Sequence, residues 1–192
     1  MPALVNLTPP AAEPISLSEA KLHLRVEHTA DDTLITALIV AARQQAELIT
    51  RRQLISATWR YSLDAWPANG IIEPPRPTLI SVQSIKYLDA DGVLQTVDSA
   101  DYTVDTASEP GRIIPVWGEV WPSARLDVNA VRIEYTAGYA NAAAVPQSIK
   151  AWILLAVGTW YAQREVVITG TIVAELPRSF WGGLLDPYTI NI

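Results

Sequence analysis

The sequence predicts an α+β fold: a small helical bundle with an inserted antiparallel β lobe and extended terminal arms. Three observations lead there. Residues 16–55 carry apolar positions at helical spacing, residues 56–137 alternate apolar and polar positions between turn residues, and helical spacing returns over 138–165. At 192 residues the chain suits one core with an embellishment better than two full-sized domains.

Residues 1–15 form an N-terminal arm, with Pro2, Pro9, Pro10 and Pro14 and no helical period; a terminus of this kind is mobile or bound to a partner. Ser16-Leu17-Ser18-Glu19 fits a capping box, so a short helix is expected over 17–25 with Leu17, Ala20 and Leu24 on its buried stripe. After a connector, Asp31 or Asp32 caps a long helix over 32–51. Its apolar positions are Leu34, Ile35, Leu38, Ile39, Ala42, Ala46 and Ile49, and Arg51-Arg52 sit at the negative end of its dipole.

At Ser56 the period becomes two, with Trp59, Tyr61 and Leu63 on one side of a strand and Thr58, Arg60 and Ser62 on the other. Pro67, Asn69 and Gly70 end it, and Pro74-Pro75-Arg76-Pro77 is stiff and poor in ladder donors. Residues 82–88 and 93–97 flank Asp89-Ala90-Asp91-Gly92, a hairpin turn signal. Further strands are expected at 102–105, 112–116 and 131–135. Pro146 opens a final helix reaching Arg164, where Gly158 implies a close helix contact or a bend. Trp152 and Trp160 are expected on roughly one face of it, in the core. The tail, residues 166–192, begins with the β-prone Val166-Val167-Ile168-Thr169 and becomes apolar but too broken by Gly and Pro for an ordinary helix, so it needs a surface to bury against.

Composition excludes several functions. A net charge of −6 argues against a sequence-independent grip on nucleic acid, which depends on Lys and Arg releasing counterions. The absence of Cys removes disulfides, thiolate nucleophiles and sulfur-rich metal sites. No signal peptide is read at the start, and the longest strongly apolar stretch, 151–157, is shorter than the roughly 20 residues that span a bilayer. No membrane association is expected.

Chemistry is sparse as well. His23 and His28 do not share a helix face, so with Asp31 and Asp32 they read as surface and capping groups rather than metal ligands. Asp89-Ala90-Asp91-Gly92 starts like a calcium loop but lacks the later ligands. No Ser sits in a Gly-x-Ser-x-Gly elbow, and neither Gly170-Thr171 nor Gly182-Gly183 precedes a phosphate-binding helix start. No catalytic residue, cofactor or metal is therefore assigned. The seven Trp and seven Tyr against one Phe favour surfaces buried at one end and wet at the other, as at subunit interfaces. Trp117 and Trp121 belong either to a lobe core or to an exposed contact surface; Phe180 and Trp181 favour docking on a partner.

Leu17-Ser18-Glu19-Ala20-Lys21-Leu22-His23-Leu24-Arg25, followed by Asp31-Asp32 and Leu34-Ile35, resembles the start of tailed-phage head–tail connector (adaptor) proteins, in the branch with an inserted β lobe. Tyr135-Thr136-Ala137-Gly138-Tyr139, Val145-Pro146, Ile149-Lys150, Trp160-Tyr161 and Arg164-Glu165 resemble that family's second half. The resemblance spans roughly residues 15–188. It implies a non-enzymatic virion subunit made in the bacterial host cytoplasm, forming a homo-oligomeric ring, usually a dodecamer. That ring would join the portal protein to the tail or to a stopper or tail-completion protein, and DNA would pass through it without specific binding. Carried over by position, the portal-docking segment is 175–188, with Leu176, Pro177, Phe180, Trp181, Leu184, Leu185 and Tyr188 as candidate anchors. A small hydrolase or carbohydrate-binding module built on the β lobe and its tryptophans is the alternative.

Overall fold

The computed structural model describes residues 2–163 and 182–190. The chain divides into two units, a helical one of Ala12–Leu54 with Ala140–Ile192 and a β unit of Met1–Ala11 with Ile55–Tyr139.

The helical unit is built on α1 (Leu17–Leu24), α2 (Asp32–Thr50) and α3 (Gln147–Ala162). The capping box starts α1: Glu19 N–H donates to Ser16 Oγ at 3.2 Å and Ser16 N–H donates to Glu19 Oε2 at 2.7 Å. The hydrogen bonds from the Ser16 side chain and backbone hold the Glu19 carboxyl below its ordinary value. Arg25 in the left-handed region, φ 57°, ends the helix. Helix α2 packs against α3, and α1 against both. At Gly158 an added Cβ would lie 3.4 Å from His23 Nε2 and 4.0 Å from Leu24 Cδ2, ordinary contact distances, so α1 packs beside this position without requiring a glycine there.

The apolar residues of α2 divide into two stripes. Ile35, Ile39, Ala42 and Ala46 are buried, whereas Leu34 and Ile49, expected beside them, are exposed. One residue along a helix is a rotation of about 100°, which takes Leu34 off the face of Ile35; Ile49, seven residues after Ala42, keeps that side but lies in the last turn of the helix. In α3, Trp152 is 1% exposed and Trp160 is 36% exposed; Trp160 comes seven residues after buried Ile153 and keeps its side, but lies in the last turn of the helix, which ends at Ala162. Trp160 is therefore not the core residue that the sequence leads one to expect; beside it, Tyr161 donates its hydroxyl hydrogen to Asp31 Oδ2 at 2.5 Å.

In the β unit a five-stranded antiparallel sheet has the order β1-β2-β7-β3-β4, formed by β1 (Ala3–Thr8), β2 (Ala57–Leu63), β7 (Val131–Ala137), β3 (Leu79–Leu88) and β4 (Leu94–Thr96). A two-stranded sheet pairs β5 (Tyr102–Asp105) with β6 (Arg112–Pro115). The N-terminal arm is extended as expected, yet five of its residues are paired with β2 as an edge strand, with an irregularity at Leu7. Strand β7 alternates strictly, with Val131, Ile133, Tyr135 and Ala137 inward. These join Leu63, Ile72, Leu79, Ile85, Val97 and Ile113 in one core. On the opposite face Arg60 NH2 lies 2.6 Å from Glu134 Oε1 across the β2–β7 ladder. The β3–β4 turn is closed by Asp89, whose Oδ1 accepts from Asp91 N and Val93 N at 3.0 and 2.9 Å. Bonds from Gln95 first, and from those amides, keep this carboxyl below its ordinary range. It is a hairpin turn closed from within.

Candidate assembly surfaces

The two tryptophans of residues 117–121 separate. Trp121 stacks on Trp66 with ring centroids 4.7 Å apart and planes 7° from parallel, and its Nε1 donates to Gly70 O at 2.8 Å. Trp66 donates in turn to Pro122 O at 2.7 Å. Both indole polar ends are thus satisfied inside the β unit. Trp117, by contrast, is fully exposed, and Val120, Leu126 and Val128 on the same β6–β7 connection are also largely in solvent. Next to them Trp66, Asn69, Ile71, Ile114, Val120 and Trp121 line a shallow groove. So one aromatic residue builds the lobe and the other belongs to an exposed apolar tip, a composition typical of contact surfaces.

Among the described residues of the helices, the exposed large apolar side chains are Leu22 on α1, Leu34, Leu48 and Ile49 on α2, and Leu155 and Trp160 on α3. The opposite face of α2 holds a polar network that the sequence did not announce. Arg43 Nε lies 2.6 Å from Glu13 Oε2, and Arg43 NH1 lies 2.9 Å from Glu47 Oε2. Glu47 Oε1 also accepts from Gln53 Nε2 at 2.6 Å and from Leu54 N at 3.1 Å. Burial opposes the charge of Arg43, but Glu13 and Glu47 outweigh it and raise the guanidinium above its ordinary value. The network ties the start of this unit to α2 and to the turn beyond it. Its only sequence signal is the i, i+4 spacing of Arg43 and Glu47, ordinarily a surface pattern.

Of the candidate docking anchors, Leu176, Pro177, Phe180 and Trp181 lie outside the described residues, as do Arg164, Glu165 and Val166-Val167-Ile168-Thr169. Leu184 is half-buried and Leu185 is 1% exposed, within two successive 3₁₀ turns, Gly182–Leu184 and Asp186–Tyr188. Arg52 Nε donates to Tyr188 O at 2.5 Å, Ser148 Oγ donates to Tyr188 Oη at 3.2 Å, and Ile190 N donates to Thr50 O at 3.1 Å. This end of the tail is anchored on its own helical unit.

Among the described residues no group of His, Asp and Glu could hold a metal ion, and no helix is long and apolar enough to cross a membrane. His23 faces α3 and His28 offers its backbone carbonyl to Lys21 Nζ at 2.7 Å. What the geometry offers is contact area: an exposed aromatic tip, apolar helix faces and an anchored tail.

Residues 14–88, from just before α1 to the end of β3, match the family described as phage gp6-like head-tail connector protein. The connector resemblance read from the sequence is borne out. Among solved structures, a chain from the virion of the native gene transfer agent (GTA) particle has a TM-score of 0.79 at 23% identity, covering 98% of this chain and 96% of that one. A chain from the neck of the empty GTA particle computed with C6 symmetry has a TM-score of 0.77 at 23% identity, covering 99% and 97%. A third, from the neck of the native particle computed with C12 symmetry, has a TM-score of 0.69 at 24% identity, covering 100% and 97%. The likeness extends through both units and shows a shared fold. No curated protein matches the chain.

Proposed function

We propose that this protein is a structural subunit of the neck of a phage-like particle, a head–tail connector that forms a ring between the capsid portal and the tail or stopper. The observation that carries the reading is the coincidence of two matches: the connector family over 14–88, and a fold shared almost end to end with chains of GTA particles, two of them from the neck. The C6 and C12 symmetry of those necks supports a ring of identical copies, twelve in the particle. The role is structural rather than catalytic, and its place is the virion.

The physical features fit such a role. The protein's net charge of −6 suits a conduit through which DNA slides, since a basic wall would retain the genome by counterion release. The segment 175–188 docks on the portal, with its base set on the helical unit by Leu185 and Tyr188. Leu176, Pro177, Phe180, Trp181 and Leu184 then supply the apolar contact.

Pull-down of the tagged full-length protein from particle-producing cells tests the assignment. Recovery of portal protein is expected, and Phe180→Ala with Trp181→Ala should abolish it. Recovery of tail protein alone would move the subunit to a tail-completion role.

A further inference from the structure

Unit closure into a ring demands two different patches on each copy, because a rotation that is not twofold brings one surface against another rather than against itself. The helical unit exposes two such faces. On α2, Leu34, Leu38, Ala41, Gln45 and Leu48 follow one another at steps of four, three, four and three residues, the spacing with which one helix seats against another. Leu48 is 66% exposed, Leu34, Ala41 and Gln45 are exposed and Leu38 is half-buried, and Ala41 leaves room for close approach.

The second face is on α3. From Ala151 to Gln163 that helix carries no charged residue, and a helix apolar all round is ordinarily covered all round. Within the described residues only one side is covered: Ile149, Trp152, Ile153 and Val157 are buried, whereas Leu155, Thr159 and Ala162 are exposed.

We infer that a second copy of this chain covers both faces, the outer stripe of α2 in one subunit packing against the Leu155–Thr159–Ala162 side of α3 in the next. The inference rests on the ring reading above and deepens it by naming the subunit contact. Two apolar faces on two different helices give a head-to-tail interface that repeats around an axis. Gln45, the one polar member of the α2 stripe, opposes the hydroxyl-bearing side of α3 and fixes register.

The protein has no cysteine, so paired cysteines report this contact without background. Particles are purified from cells supplying Thr159→Cys together with Ala37→Cys, Ala41→Cys or Gln45→Cys, then mildly oxidised and run without reductant. Disulfides need Cα atoms within about 7 Å. At least one mixture should give a linked dimer, each variant alone should give none, and the double variant should give a ladder of multimers. A dimer from an α2 variant alone, or only intrachain linkage, would overturn the inference and leave the neck reading standing. So would the absence of any link when the protein is present in the neck. Absence of the protein from particles would overturn the neck reading itself. As a second check, Leu48→Lys should leave unfolding unchanged and lower neck occupancy about tenfold, the loss expected for a central apolar anchor; unchanged occupancy contradicts the contact.

Discussion

Glu47→Ala should destabilise the helical unit by about 3–5 kcal/mol, the cost of breaking a buried ion pair by removing one partner. Glu47 and Arg43 are both nearly inaccessible, with side-chain exposures of 6% and 8%. Removing the carboxylate strips Arg43 of one of its two acidic partners and leaves Leu54 N and Gln53 Nε2 without this acceptor, in a place where water does not readily replace it. Replacing the pair with apolar groups, Arg43→Met with Glu47→Leu, should recover part of that loss. Recovery stays incomplete because the Leu54 amide is still unsatisfied and Glu13 has lost its partner. Chemical unfolding of the two variants measures both numbers. A loss below about 1 kcal/mol for Glu47→Ala, the range of an exposed pair, would contradict the assignment of a buried network.

Gly138→Ala should cost the β unit about 2–5 kcal/mol, combining backbone strain with a steric clash that cannot relax cheaply. Gly138 has φ +116°, and an added Cβ would stand 2.8 Å from Ile55 C, 2.9 Å from Ile55 O and 2.9 Å from Ser56 N. These are backbone atoms, held in place because Ser56 N donates to Tyr139 O at 3.0 Å while Gly138 N donates to Thr78 O at 2.8 Å. Gly70→Ala is the control. Gly70 has φ +71° with nothing within 4 Å of an added Cβ, so only the left-handed penalty of about 1–2 kcal/mol applies. Equal losses for the two variants, read by denaturant unfolding, would mean that the close approach at Gly138 has no energetic weight.

That glycine also gives a structural role to Tyr135-Thr136-Ala137-Gly138-Tyr139, one of the stretches that carry the family resemblance. Tyr135 and Ala137 are core positions of β7, with Tyr135 Oη donating to Pro75 O at 2.6 Å and burial pushing its phenol up. Gly138 then lets the chain cross against Ile55, and Tyr139 bridges to it. The partners Ile55 and Pro75 are not legible locally, whereas the left-handed φ at Gly138 and the inward alternation of Tyr135 and Ala137 are local demands, legible one position at a time. The capping box at Ser16 and Glu19, the Asp89 hairpin and the alternation of β7 were readable for the same reason.

What escaped the sequence depends on partners far along the chain. Strand β1 is flanked by Pro2 and by Pro9-Pro10, and nothing local shows that Ala3–Thr8 pairs with residues fifty or more positions away. Arg43 and Glu47 wear a surface spacing, and only Glu13, thirty residues earlier, and the turn at Gln53 and Leu54 make them interior. Trp117 and Trp121 look alike in sequence; Trp66, brought up from the end of β2, selects Trp121 for the core. In α2 the sequence offers its apolar positions as a single set, because a subunit considered alone has no reason to keep a second stripe. The outer stripe gains a meaning only if neighbours complete it.

The central claim is that this chain is a neck subunit, and negative-stain imaging of particles made without it tests that most directly. Filled or leaking heads without attached tails are the predicted result, restored to tailed particles when the protein is resupplied. Normally tailed particles in its absence would contradict the account.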